Sequence, residues 1–162
     1  MTLPSLDLLL QQEAESHFTH FSFARALQIG QTLYQRAVSQ QLPVAVEVYA
    51  FGQPVFFAAL PDSAPDNLAW MKRKRNTVLR MAHSSLYMGF KYEAEGLRMD
   101  KMPWIEQPEY CDHGGSFPLF LTGGALIGAV TVSGLPSADD HALALWAIRE
   151  SLTSTLDTHL AP

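Results

Sequence analysis

The sequence predicts a layered α/β domain, with a central antiparallel sheet of four to five strands and helices on both faces. Three observations point there. Phe23, Ala26, Leu27, Gly30, Leu33, Tyr34, Ala37 and Val38 form an apolar stripe at i, i+3, i+4 spacing. Residues 44–60 alternate with period two on either side of a glycine turn. The element order is helix, helix, hairpin, long helix, hairpin, helix. Hairpins join antiparallel neighbours, and helices are needed to cover the apolar sides of the sheet they make.

The elements follow from local signals. Ser5 caps a first helix that runs through Leu6, Leu9, Leu10 and Glu13 to about Ser16. Ser22 caps the second, which frays at Gln40-Gln41 and is stopped by Pro43. Val44 to Phe51 is a strand; Gly52-Gln53 reads as the turn and Pro54 to Leu60 as the returning strand. Asp66 is placed to cap a long helix through Trp70, Val78, Met81 and Ala82, continued or restarted at Ser84-Ser85 to about Glu95. Residues 96–107 read mostly as loop. Leu119 to Thr122 and Ala125 to Ser133 form the second hairpin through Gly123-Gly124. The last helix starts after Pro136 and runs to about Thr158. With no repeat of fixed period and no long linker, residues 1–162 form a single domain, with N-terminal helices over about 5–41 and a core over about 43–158.

A chain of 162 residues that is 48% apolar and 17% charged buries roughly 70% of its unfolded surface and needs no staples. That little charge hints at self-association. The net charge of −5 and pI near 5.6 argue against nucleic acid, which requires a basic face. Cys111 is the only cysteine, so no internal disulfide forms. Met1 to Asp7 lacks the pattern of a secretory signal, and no apolar run reaches the length of about 20 residues that spans a bilayer. The expected setting is a reducing cytoplasm, without a membrane partner.

The chemistry concentrates between Cys111 and His141. A glycine corner leads into a hairpin and then a helix start, an order that returns His141 toward His113. Two imidazoles beside Gly114, Gly115 and Asp140 are candidates to hold a small ligand or a divalent metal. Cys-x-His is not a zinc spacing, and Gly114-Gly115 precedes a strand where phosphate loops precede a helix. Ser137-Ala138-Asp139-Asp140 fits a capping box with Asp for the usual Glu, Ser137 accepting from the Asp140 N–H. Lys72 to Arg75 wrap around their helix, so one of them must lie near the buried side and need a carboxylate or a ligand; Arg73 or Lys74 is placed to bind an anion. His83 and Ser84 point about 100° apart on a helix and make no local nucleophile–base pair. Trp70, Met71, Met81, Met88, Trp104 and Trp146 suit a core or an apolar pocket.

Trp70-x-x-Arg73-Lys74-x-Asn76, His83-Ser84-Ser85, His113-Gly114-Gly115-x-Phe117-Pro118, Val132-Ser133-Gly134-Leu135 and Asp139-Asp140-His141 together resemble the haem-degrading domain family, the HbpS-like and GlcG-like group. The resemblance covers nearly the whole chain and is closest to the family's uncharacterised-protein-family branch. It implies a profilin-like α/β domain, assembly as a homo-oligomer and, for some members, binding of haem and its slow breakdown. Haem would take a ligand such as His113 or His141, and its propionates an Arg or Lys such as Arg73 or Lys74. Three readings are carried forward: an oligomeric ligand-binding domain, a haem- or metal-dependent redox enzyme, and a protein-interaction scaffold using the apolar face of the first helix.

Overall fold

The structure, a computed structural model, describes residues 3–154. Its elements are α1 (Leu6–Ala14), β1 (His17–Phe18), α2 (Phe23–Ser39), β2 (Ala45–Ala50), β3 (Gln53–Ala59), α3 (Asp66–Met81), α4 (Ser85–Ala94), β4 (Ser116–Leu121), β5 (Leu126–Ser133) and α5 (Ser137–Leu152), with a 3-10 turn at Met99–Lys101. The five strands lie in the order β1-β4-β5-β2-β3. The expected end of the last helix at about Thr158 lies outside the described residues.

The predicted layering holds. Helices α2 and α5 cover one face of the sheet and α3 covers the other. Strand alternation sorts the side chains between them. Val46 and Val48 of β2, Phe117 and Leu119 of β4, and Val130 and Val132 of β5 meet Ile29 and Leu33 of α2 and Ala144 and Ile148 of α5 in one buried core. The opposite face is polar and still buried: Glu47, Ser116, Thr131 and Ser133 point toward α3. Ser116 and Thr131 hydroxyls lie 2.9 Å apart. The Arg75 guanidinium donates twice to the Glu47 carboxylate, at 2.6 and 2.8 Å. A second apolar cluster joins Leu9 of α1 to Leu86, Tyr87 and Met88 of α4 and to Met99, Met102 and Ile105.

Several local expectations are corrected. The sheet is mixed, because β1 pairs parallel with β4; two residues are too few to show any periodicity. The β2–β3 turn centres on Phe51 and Gly52, both at positive φ, one residue earlier than expected. Strand β4 begins at Ser116, not Leu119, and includes Pro118 opposite Ala129. Proline is tolerated because β1 reaches only Phe120 and Leu121, so Pro118 has no partner on its outer side. Asp66 does not cap α3, whose N-cap is Pro65; its carboxylate instead accepts from the Trp70 indole N–H at 3.1 Å. Ser5, Ser22 and Ser84 do cap their helices, accepting from Leu8, Arg25 and Tyr87 N–H groups. Ala82 takes the left-handed conformation and separates α3 from α4.

Candidate functional site

Helix α3 builds the site by holding the incoming chain of residues 109–113. Asn76 Nδ2 donates to the Glu109 carbonyl at 2.9 Å. Arg73 donates through Nε and Nη2 to the Tyr110 carbonyl at 3.3 and 3.2 Å. Thr77 Oγ1 donates to the Cys111 carbonyl at 2.6 Å. The indole of Trp70 lies under the Arg73 guanidinium at 4.7 Å and against the His113 imidazole at 4.8 Å. One face of one helix therefore sets the path of the loop and the placement of its terminal imidazole.

Lys74 is the basic residue forced inward. Its ammonium donates to Asp140 Oδ2 at 3.0 Å and to the Val132 carbonyl at 3.2 Å. Asp140 accepts through its other oxygen from the Leu135 N–H at 2.9 Å. Burial pushes the Asp140 carboxyl above its usual range, against the pull of Lys74. The capping box is not formed. Pro136 is the N-cap of α5, and the Asp140 N–H bonds the Pro136 carbonyl. Gly115 passes between these groups at φ 138°; a Cβ there would meet the Val132 oxygen at 2.4 Å and Lys74 Nζ at 2.8 Å. Gly114 is pressed in the same way between the Ser137 carbonyl and Leu86.

The two histidines are not assembled into one site. His113 is exposed. His141 is buried on the far side of the sheet, 5.5 Å from the Phe117 ring. Its Nε2 lies 2.7 Å from Gln12 Oε1 of α1, and its Nδ1 has no partner among the described residues. Burial lowers its pKa to about 4. Among the described residues no group of three or more His, Cys, Asp and Glu side chains converges as a metal site.

Two recesses meet at His113. The larger, about 610 Å³, has Leu86, Phe90, Leu97 and Met99 as apolar lining and Arg73, Arg98, Tyr110 and Cys111 at its polar side. The smaller, about 250 Å³, is lined by Asn67, Trp70, Lys74, Ser133 and Asp140. His113 and Ser137 line both. Cys111 is buried, and burial raises its thiol pKa.

Residues 21–149 match the family described as haem degrading protein HbpS-like. The chain belongs to the HbpS-like family. It is 43% identical to a UPF0303 protein of Rhizobium etli, over 100% of this chain and 99% of the relative. It is 40% identical to a UPF0303 protein of Streptomyces coelicolor, over 91% and 93%. Among solved structures, the protein Ybr137w superposes with a TM-score of 0.83 at 26% identity, covering 93% of this chain and 90% of that one. A PduOC:haem complex gives a TM-score of 0.67 at 23% identity, covering 80% and 93%. HbpS itself gives 0.64 at 19%, covering 84% and 92%. At those last two identities the likeness is one of fold.

In this HbpS-like domain the apolar residues of the large recess come from α4 and from the segment that follows it. Leu86, Phe90, Leu97 and Met99 carried no sequence signal of a site, since apolar residues at helical spacing read first as core. Gln12 and Glu13 of α1 were equally silent. Glu13 accepts from the Ser84 N–H at 2.7 Å and lies 2.8 Å from His83 Nδ1, so His83 and Ser84 serve the α3–α4 corner. Trp104, grouped with pocket or core aromatics, is 65% exposed. No helix among the described residues is long and apolar enough to cross a membrane.

Proposed function

We propose that this domain binds haem in the recess of about 610 Å³, with His113 as the iron ligand. The observation that carries the reading is an exposed imidazole standing at the rim of an apolar-lined recess. Cofactor sites span about 300–1,000 Å³ and combine apolar walls with a few placed polar groups. Histidine is a common axial ligand of haem iron. Leu86, Phe90, Leu97 and Met99 suit the macrocycle, and Arg73 and Arg98 suit the propionates. Membership of the family supports the same ligand, as does the PduOC:haem complex, a structure of the same fold. When bound, haem would supply redox and oxygen chemistry; the chain would orient it and limit its exposure to water.

Within this reading Lys74, Asp140, Gly114 and Gly115 are positioning residues, which fix the loop that carries His113. His141 is too enclosed to reach a ligand in either recess. A bare divalent ion is less well served, because no three donors converge among the described residues. The test is titration of the purified chain with haem, followed by the Soret band. A saturable shift is expected in the wild type and in His141→Ala, and its loss or displacement in His113→Ala. A wild type that leaves the band of free haem unchanged, or a His113→Ala spectrum identical to the wild type, removes the proposal.

A further inference from the structure

We infer that the smaller recess beside His113 binds a small carboxylate. It measures about 250 Å³, below the roughly 300–1,000 Å³ of cofactor sites, so it excludes a macrocycle. Asn67, Trp70 and Lys74 of α3 form one wall, and the chain from Ser133 to Asp140 forms the other. Only His113 and Ser137 also line the larger recess. The floor is built and buried. The Lys74 and Asp140 side chains are 5% and 1% exposed, and Ser133 is buried as well.

The hydrogen bonds already made decide what the recess lacks. Asp140 gives one oxygen to Lys74 and the other to the Leu135 N–H, so no open carboxylate remains to hold a cation. The Lys74 ammonium carries three N–H groups but meets two acceptors, Asp140 and the Val132 carbonyl. Its third N–H has no acceptor among the described residues. Asn67 Nδ2 reaches Ser133 Oγ only at 3.4 Å, longer than a usual N–H···O bond. That contact makes Ser133 an acceptor and leaves its hydroxyl hydrogen available. At the mouth stand the Ser137 hydroxyl, which caps no helix N–H, and the His113 imidazole, whose neighbour is the Trp70 ring. Donors thus converge where the acceptors are already engaged. Such a recess suits a ligand that brings oxygen acceptors and negative charge.

Size and charge narrow the class. The Trp70 indole offers one flat wall, against which a planar carboxylate fits. Asp140 offsets much of the charge of Lys74, so one negative charge is balanced better than two. A carboxylate is therefore favoured over sulfate or phosphate. Its oxygens answer the open donors of Lys74 and Ser133, with Ser137 and His113 at the mouth. The inference needs no iron and does not depend on the haem reading.

Nuclear magnetic resonance of the purified full chain, without haem, tests it. The Trp70 indole N–H is the reporter. That of Trp104, 65% exposed and outside the recess, is the control. At constant ionic strength, sodium acetate and sodium propionate are expected to shift the Trp70 signal saturably and leave Trp104 in place. Acetamide, the neutral counterpart of acetate, and sodium chloride are expected to give no saturable shift, and sodium sulfate a weaker one. Lys74→Met/Asp140→Leu removes the ammonium and leaves no isolated charge. It is expected to weaken acetate binding about tenfold or more, since hydrogen bonds to charged groups are the strong ones. Ser133→Ala is expected to weaken it severalfold, and carries the test if the double variant does not fold. The inference is overturned if neither carboxylate gives a saturable shift. It is overturned equally if acetamide binds as tightly as acetate, if sulfate binds more tightly, or if the folded variants bind acetate as the wild type does. A failed Soret titration with haem leaves it standing, because no haem enters this measurement.

Discussion

Lys74 Nζ lies 3.0 Å from Asp140 Oδ2, with the two side chains 5% and 1% exposed. This contact ties α3 to the start of α5 beneath the loop that carries His113. Removing one partner of such a pair strands the other charge out of water and costs about 3–5 kcal/mol. Lys74→Met and Asp140→Asn are each expected to lower the urea midpoint accordingly. The double variant Lys74→Met/Asp140→Leu is expected to recover much of the loss, because no isolated charge remains. Single losses near zero would show that water reaches the pair.

His141 makes stability depend on pH. Its pKa is about 4 in the fold and about 6.5 in an unfolded chain. Above pH 6.5 both states are neutral and the stabilisation is complete. As pH falls from 6.5 toward 4, the unfolded state takes up a proton that the folded state refuses. Stability is then lost by up to about 1.4 kcal/mol per pH unit, about 3 kcal/mol in all. His141→Phe keeps the packing against Phe117 and removes the titration. Denaturant melts from pH 7.5 to 4.5 are expected to show a shallower slope for the variant. Parallel slopes would assign the acid lability to other groups.

The layered architecture was legible because its signals are local. The α2 stripe, the alternation of β2 and the serine caps at Ser5, Ser22 and Ser84 each lie within one element. The site was less legible because it is assembled from segments far apart in sequence. Lys72 to Arg75 showed that a cation must turn inward, since four residues cannot share one face. They did not show that the partners are Asp140 for Lys74 and Glu47 for Arg75. Chain order suggested that His113 and His141 approach each other. Helix α5, however, turns Asp140 and His141 about 100° apart, one toward α3 and one toward α1. The recess escaped notice because its walls are ordinary apolar residues of α4.

Arg73 is expected to act on haem binding through the loop as well as by its charge. Its two hydrogen bonds to the Tyr110 carbonyl and its stacking on Trp70 fix the segment leading to His113. Arg73→Lys keeps the charge but loses the planar fork. Hydrogen bonds from a charged donor contribute about 1.5–3 kcal/mol, so haem affinity is expected to fall roughly tenfold or more. Arg98→Lys, at an exposed ion pair with Asp100, is expected to change it far less. Equal effects in the two variants would reduce Arg73 to a source of charge.

Gly30 offers a test in which two effects oppose each other. Alanine in place of an interior helical glycine gains about 1 kcal/mol of helix propensity. Here a Cβ would lie 2.2 Å from Phe56 Cγ and 2.6 Å from Phe56 Cβ. Rotating the ring relieves the first contact but not the second, because Cβ does not move with the rotamer. Helix α2 must therefore shift away from β3, and overpacking of this kind costs about 1–3 kcal/mol. The clash is expected to win, so Gly30→Ala lowers the thermal midpoint. Phe56→Ala keeps the β-carbon but frees space beyond it, so Gly30→Ala/Phe56→Ala is expected to recover little beyond the Phe56→Ala single. Gly30→Ala/Phe56→Gly removes the fixed atom and is expected to show strong positive coupling in a double-mutant cycle. A Gly30→Ala variant more stable than wild type would mean that helix propensity outweighs this approach of α2 to the sheet.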